Sequence, residues 1–185
     1  MEKLLPAQVL KAAGVLATRV GLDKVCIKEA SFGSSGDWDS QTHIDANAVL
    51  QSIDPVTYVF NEKTNTLDVD ISFMVSLGKQ TTKANGFQIK AIFVARYHLT
   101  TTPPPQDMRE LFFGSFSKSN ALLNVWPYWR EFASSCNDRM GLPHWNLPVL
   151  RLVPEPVEGK ESVKKSSGTA KKATPTKKTA AKAKK

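Results

Sequence analysis

Two stretches of strict alternation between apolar and polar residues place the strongest constraint on the fold of this 185-residue chain. Over 67–77 apolar side chains alternate with Asp, Ser and Met, and over 87–99 apolar residues again occupy every second position. Successive residues of a β-strand point to opposite faces, so each stretch predicts a strand with one buried and one solvated face. The break between them is too short for a parallel crossover, which predicts an antiparallel pair.

Two further strands are predicted upstream of this pair. The first covers 22–32 and contains the run VCIKEASF. The second lies within 44–61 and is best defined at 56–60, where Pro55 indicates a sheet edge or a bulge. A connection rich in glycine and serine, 33–41, separates the two strands.

A tryptophan-rich stretch, 120–151, follows the predicted sheet. Within it, apolar residues recur at spacings of four and three, as on one face of an amphipathic helix: Leu122, Trp126, Trp129, Ala133, Cys136 and Met140. Gly141 supplies a helix stop. Pro127 either kinks a continuous helix or stands at its first position. Residues 108–116 are predicted to form a short helix or turn that leads into this stretch.

Together these elements predict an α+β fold in which a four-stranded antiparallel sheet is packed against a long C-terminal helix. The first two turns of that helix are apolar on nearly every side, which predicts a second contact with a neighbouring subunit. The residues predicted at this oligomer interface are Leu122, Trp126, Trp129 and Ala133.

Both ends of the chain differ from its middle. Residues 1–21 are predicted to form an N-terminal arm that is either a short helix over 4–17 or only partly ordered. Residues 154–185 hold ten lysines and three glutamates, which supply seven of the eight net positive charges. Such a segment cannot bury enough apolar surface to offset its ordering entropy, so it is predicted to be a disordered tail. The domain between them spans 22–153.

The sequence contains no catalytic or cofactor-binding pattern. His43, His98 and His144 are isolated, which favours structural or solvent roles over metal ligation. Cys26 and Cys136 lie far apart, as free thiols in a reducing compartment do. No stretch approaches the roughly 20 apolar residues needed to span a bilayer. We therefore expect a cytoplasmic protein that is not an enzyme, needs no cofactor or metal and does not insert into a membrane.

Four segments resemble SecB-type protein-export chaperones. The run VWPYWREF at 125–132, followed by GLPHWNLPVL at 141–150, is similar to the family's helix motif and to the loop after it. KEASF at 28–32 resembles the family's first strand, and VSLGKQT at 75–81 resembles the turn between its third and fourth strands. The resemblance covers about 22–152.

This resemblance implies an ATP-independent holdase that assembles as a homotetramer, a dimer of dimers, and binds unfolded or precursor polypeptides in hydrophobic grooves. Trp38, in the polar connection, either folds back on the core or lines a binding surface. Candidate client-binding residues are Trp38, Ile44, Val56, Tyr58, Phe60, Leu150 and Leu152.

Several departures from the family concern its partners. Glu29 falls at one acidic position of the surface that docks on the SecA motor, whereas Gly33 and Gly86 occupy others, so docking on SecA stays open. The family's second helix cannot form in the PEPVEGKE run that follows Leu152. Clients could be exported proteins or antitoxins, and the resemblance does not distinguish them.

The lysine-rich tail suggests an alternative function as a nucleic-acid-associated protein. Lysines would bind phosphate backbones through counterion release, without sequence preference. A solubilising extension and a tether to an acidic surface are the other interpretations of the same composition. Comparing the full chain with a protein truncated to 1–153 would separate the alternatives, because a holdase would keep its activity and a tail-dependent protein would lose it.

Overall fold

A four-stranded antiparallel sheet forms the centre of the fold. The computed structural model describes residues 2–35, 49–77, 86–141 and 147–154. The strands are β2 (Val20–Ser35), β3 (Val49–Asn61), β4 (Thr66–Leu77) and β5 (Gly86–Leu99), in the order β2-β5-β4-β3. The four predicted strands are therefore confirmed. β2 lies beside β5 rather than beside β3, so β2 and β3 are the two edges of this sheet.

The alternation in β4 and β5 sets which face of the sheet is buried. The register pairs Val69 with Ala95 and Ile71 with Phe93, so the apolar residues of both strands share one face. Leu67, Val69, Ile71, Phe73 and Val75 are all 0% exposed. As predicted, the intervening polar residues occupy the opposite face, which we call the outer face.

The chain after β5 forms one long helical run rather than two helices. A 3₁₀ turn (Gln106–Met108) precedes it, and helical geometry then continues from 109 to 139. Two π-helical turns, Glu110–Gly114 and Ser117–Ala121, lead directly into α2 (Leu122–Arg139). The helix predicted at 108–116 is therefore the first part of this run, which continues without a break into α2.

Pro127 lies inside α2, which excludes the alternative that the helix begins there. Proline has no amide hydrogen, so the carbonyl of Leu123 loses its usual helical partner. Pro127 and Leu123 are both exposed, and water can satisfy that carbonyl. The predicted helix end is confirmed, because α2 stops at Arg139 and Gly141 adopts the left-handed conformation with a φ of 63°.

Aromatic packing joins α2 to the sheet. The indole of Trp129 stacks on Phe73, with ring centroids 5.3 Å apart and an interplanar angle of 10°. Trp126 contacts the same phenylalanine at 5.9 Å, and Phe132 meets Phe93 edge-on at 6.1 Å. The helix therefore covers the two central strands, β4 and β5.

The N-terminal residues belong to the same core. β1 (Glu2–Leu5) pairs in parallel with β6 (Arg151–Pro154), and α1 (Ala7–Ala17) follows directly after Pro6. Leu16 of α1 is 2% exposed within the main apolar core. The predicted boundary at residue 21 therefore separates segments that share one core, and the predicted tail beyond Pro154 lies outside the described residues. Among the described helices, none is both long and apolar enough to cross a membrane.

Candidate functional site

An open groove of about 430 Å³ lies between the edge strand β3 and the start of the long helix. Its lining residues come from one short stretch of each element: Val56, Thr57, Tyr58, Glu110, Gly114, Ser117 and Lys118. We call this the β3 groove. It combines a sheet edge with a recess large enough for a side chain.

The alternation of β3 turns three apolar side chains toward the helix. The register pairs Val56 with Ile71, Tyr58 with Val69 and Phe60 with Leu67, and all three partners are buried. The three β3 side chains are only half-buried, because β3 has a neighbouring strand on one side alone. Apolar area therefore remains exposed along this wall.

Phe113 forms the floor beneath two of these side chains. Its ring is 0% exposed and lies 4.9 Å from the ring of Phe60 and 5.8 Å from that of Tyr58. The guanidinium of Arg109 lies 5.2 Å from the centre of the Phe60 ring and also pairs with Glu62 at 2.7 Å. These contacts give the aromatic wall a fixed shape before any ligand arrives.

Tyr58 has a polar end as well as an apolar ring. Its hydroxyl donates a 2.7 Å hydrogen bond to Oε2 of Glu110. Partial burial, together with this acceptor, raises the pKa of Tyr58 to about 12. The phenol therefore stays protonated at neutral pH and holds Glu110 against the groove wall.

Gly114 keeps the groove open. A Cβ atom at this position would lie 2.8 Å from Oε1 of Glu110 and 3.8 Å from Cε1 of Tyr58. Any side chain here would displace the Glu110 carboxylate and occupy the space beside Tyr58. The absence of a side chain thus leaves the recess beside Tyr58 open, and a large side chain here would fill it once the flexible Glu110 carboxylate had moved aside.

The free edge of β3 borders the groove. β3 pairs with β4 and with no other described strand. The ladder shifts register between Ile53 and Val56, and Pro55 within the shift has no amide hydrogen to donate. The uninterrupted edge is therefore 56–61, which is about 20 Å long.

A second apolar surface runs along β2 at the opposite edge. Its residues share the helix-facing side of the sheet with the buried residues of β5: Val20, Leu22, Val25, Ile27, Ala30 and Phe32. The helix does not cover this strand, and Phe32 is 65%, Ile27 45% and Leu22 42% exposed. We call this set the β2 row. A soluble edge strand rarely carries uncovered apolar side chains in a row without a partner.

Ion pairs cross the strands on the outer face. Arg96 makes two hydrogen bonds of 2.7 Å to Asp68, and Lys28 lies 2.6 Å from Asp70. The two aspartates were predicted to form a solvated surface, and each is paired with a cation there. Glu29 is exposed on the same face. The outer face is therefore a mixture of charges rather than an acidic patch.

The Asp68–Arg96 pair should make stability depend on acid pH. Hydrogen bonding by Arg96 lowers the pKa of Asp68 below its ordinary value of 3.8. Because the pKa of Asp68 is lower in the folded protein than in the unfolded chain, the ionised carboxylate stabilises the fold at pH values above its unfolded-state pKa. This stabilisation is lost as the pH falls through the folded-state pKa. Between pH 6 and pH 3 we expect the melting temperature of the wild type to fall by about 1–3 °C more than that of Asp68→Asn. Asp107→Asn, which removes an exposed carboxylate, should behave as the wild type in the same melting curves.

The structure brings three of the predicted client-binding residues together. Val56 and Tyr58 line the β3 groove. Phe60 lies on the same strand and packs against the ring of Phe113, which forms the floor. Leu150 is 5% exposed within the core, and Leu152 is half-buried on β6. These two leucines pack inside the fold because β6 pairs with β1. Trp38 and Ile44 lie outside the described residues.

The predicted interface residues of α2 are enclosed by their own chain. Leu122, Trp129 and Ala133 are 0% exposed and Trp126 is 4% exposed, because all four pack on the sheet. Elsewhere on α2, the side chains of Leu123 and Tyr128 are exposed. The periodicity identified the buried face of the helix correctly, but it could not show what covers that face.

Glu110, Gly114 and the β2 row were not singled out from the sequence. The signal for the β2 row was present in Leu22, Ile27 and Phe32, which are large apolar residues in a strand that the register places at an edge. Glu110 and Gly114 gave no such signal, because their role depends on where the long helix begins. Within the described residues, no cluster of His, Cys, Asp or Glu is arranged to hold a metal ion.

No family model matches this sequence, and no curated protein matches it either. Among solved structures, it is similar to the Mycobacterium tuberculosis SecB-like chaperone Rv1957 in complex with a ChAD peptide from the HigA1 antitoxin. The two share 14% identity with a TM-score of 0.62, over 77% of this chain and 98% of the other. A protein of unknown function from Streptococcus agalactiae aligns at 7% identity over 70% of this chain and 96% of the other, with a TM-score of 0.39. The predicted resemblance to SecB-type proteins is thus confirmed for the fold.

Proposed function

Because the chain has the fold of a SecB-like chaperone, we propose that it is an ATP-independent holdase for unfolded or precursor polypeptides. The observation that carries this proposal is the β3 groove, in which a half-buried aromatic wall adjoins a free strand edge. A folded client presents neither unpaired backbone nor contiguous apolar side chains. An unfolded client presents both, and the groove offers partners for both.

The client would bind as an added strand. Its backbone would pair with the edge of β3 at 56–61, and alternate side chains would enter the groove beside Tyr58 and Gly114. Burial of apolar client surface contributes about 25 cal/mol per Å². Hydrogen bonding of this kind depends on the client backbone, so the site would accept many sequences. No step in this mechanism uses nucleotide hydrolysis.

The solved neighbour supports the class of client. Rv1957 was solved with a peptide from an antitoxin, so a polypeptide ligand is compatible with this fold. We propose unfolded chains in general as clients, with exported precursors and antitoxins both included. Trp38 and Ile44 remain proposed contributors to client binding from the connection between β2 and β3.

We further propose that the protein assembles as a homotetramer through the β2 row. Two β2 edges can pair antiparallel about a two-fold axis, which joins the sheets and brings the two apolar rows together. Two such dimers would pair through a second surface to complete the tetramer. Docking on SecA receives little support from the outer face, where Asp68 and Asp70 are paired with cations and Glu29 is one acidic residue among mixed charges.

Filling the β3 groove tests the proposed function. We expect Gly114→Met to need roughly tenfold more protein than the wild type to suppress aggregation, because the new side chain occupies the space that a client side chain would bury. The matched control is Gly14→Met, since a Cβ atom at Gly14 of α1 meets nothing within 4 Å. The measurement is light scattering of a chemically unfolded substrate diluted into buffer without nucleotide.

Lys118→Trp provides a second variant at the exposed rim of the same groove, where a bulky side chain does not disturb the core. Thermal melting curves would serve as the control that each variant is folded. Full suppression of aggregation by folded Gly114→Met and by Lys118→Trp would show that clients bind elsewhere. Failure of the wild type to suppress aggregation would contradict the holdase function itself.

A further inference from the structure

A second pocket, of about 290 Å³, lies between α1 and the segment that follows β5. Its walls are mainly apolar and include Val15, Leu16, Leu99, Pro104, Met108 and Phe112. Val15 and Met108 are 39% and 37% exposed, so the pocket opens to the surface. We call it the α1 pocket. It shares no lining residue with the β3 groove.

Hydrogen bonds to backbone carbonyl oxygens hold both walls of the α1 pocket in place. The carbonyl of Arg19 accepts a 2.9 Å bond from the amide of Thr100 and a 3.1 Å bond from its hydroxyl. On the other side, Nε of Arg109 donates to the carbonyl of Pro104 at 3.3 Å. Prolines at 103–105 restrict the backbone further. A ligand would therefore enter a recess that is already formed, which lowers the entropy cost of binding.

The charge around the α1 pocket is positive. Arg19 lines the pocket and takes part in none of the ion pairs among the described residues. Lys11 lies one helical turn before Val15 on α1. Arg19 follows two residues after the end of the helix and lines the pocket together with Val15. No acidic residue occurs from Pro6 to Leu22. Asp107, on the neighbouring 3₁₀ turn, is not part of the pocket lining.

We propose that the α1 pocket binds a client segment in which one large apolar side chain stands next to an aspartate or a glutamate. The apolar side chain would fill the recess, and the carboxylate would pair with Arg19. The pocket volume suits one such side chain rather than a whole secondary-structure element. This inference rests on the proposed holdase function and adds a preference within it, because a client held at both the groove and the pocket dissociates more slowly than one held at either.

Short labelled peptides test the preference directly. Three serine- and glycine-rich peptides would carry Phe-Glu, Phe-Lys or Ala-Glu at their centre, and fluorescence anisotropy with the full-length protein would give their dissociation constants. We expect Phe-Glu to bind best. Ala-Glu should bind at least about tenfold more weakly, since the apolar burial is lost, and Phe-Lys about threefold more weakly, since an exposed ion pair is lost.

Two variants assign this ranking to the α1 pocket. Arg19→Glu should reverse the order of Phe-Glu and Phe-Lys, whereas Lys24→Glu, which changes a cation of the outer face, should leave it unchanged. Thr102→Trp, at an exposed lining position, should fill the recess and weaken both Phe peptides by roughly tenfold. Thermal melting curves would serve as the control that Arg19→Glu and Thr102→Trp are folded.

Gly114→Met separates this proposal from the proposed function. If it loses aggregation suppression and keeps the peptide ranking, the two sites act as proposed. An unchanged ranking in Arg19→Glu, or undiminished peptide binding in Thr102→Trp, overturns the α1 pocket while leaving the holdase function intact. A wild type that ranks the peptides as expected but suppresses no aggregation overturns the holdase function, and with it the role of the pocket in client binding.

Discussion

Replacing Trp129 with alanine is expected to remove about 3–5 kcal/mol from the free energy of unfolding. The indole is 0% exposed and lies against three other rings, with centroids 5.3 Å from Phe73, 6.2 Å from Phe132 and 6.5 Å from Phe93. Alanine would leave a cavity at the centre of the contact between helix and sheet, where neighbouring strands cannot move inward to fill it.

Tyr128→Ala is the matched control for this variant. Tyr128 is the adjacent aromatic residue on the same helix and is 45% exposed. Its loss should change the stability by less than about 1 kcal/mol. Urea unfolding followed by circular dichroism would measure both variants. Because domains of this size are stable by only about 5–15 kcal/mol, Trp129→Ala should lose a large fraction of its stability. Equal losses for the two variants would contradict the packing described for α2.

Introducing charge into the β2 row is expected to break the oligomer. In Ile27→Glu/Phe32→Glu, two carboxylates would have to be buried between paired strands without cationic partners. Burying an unpaired charge costs several kcal/mol, so the dissociation constant should rise by at least about a hundredfold. Sedimentation velocity at micromolar concentration should show the wild type as a tetramer and the variant as a smaller species.

Val59→Glu is the control for the β2 row. Val59 is 70% exposed, and it also belongs to an edge strand, but it lies on the outer face of β3. Its substitution should leave the assembly unchanged. A monomeric wild type would rule out the proposed homotetramer, and an intact assembly of the charged double variant would show that subunits meet at another surface.

Alternation predicted which residues of the sheet are buried, because it follows directly from strand geometry. It could not predict that β2 pairs with β5, since alternation defines the face of each strand and not its neighbour. Pro55 did indicate an edge or a bulge in β3, and the structure shows both. The position of β2 at the opposite edge came from the structure alone.

The start of the long helix could not be predicted for a different reason. The run GSFSKSN at 114–120 has weak helix propensity, and Gly114 alone costs about 1 kcal/mol relative to alanine. Phe113 and Phe116 are nevertheless buried in the core, at 0% and 1% exposure. Burial of these rings outweighs the local preference. The helical wall of the β3 groove lies largely on this segment, so the position of that wall could not be predicted from the sequence.

The pairing of β1 with β6 has a consequence for how the chain folds during synthesis. Residues 2–5 are synthesised well before their strand partner at 151–154, with nearly all of the other described residues lying between them. β2 must likewise wait for β5 before its ladder can form. Contacts of such long sequence separation form slowly. The nascent chain therefore keeps its apolar edges exposed until these partner segments have been synthesised, and it passes through the kind of unfolded state that, in our proposal, the finished protein binds in other chains.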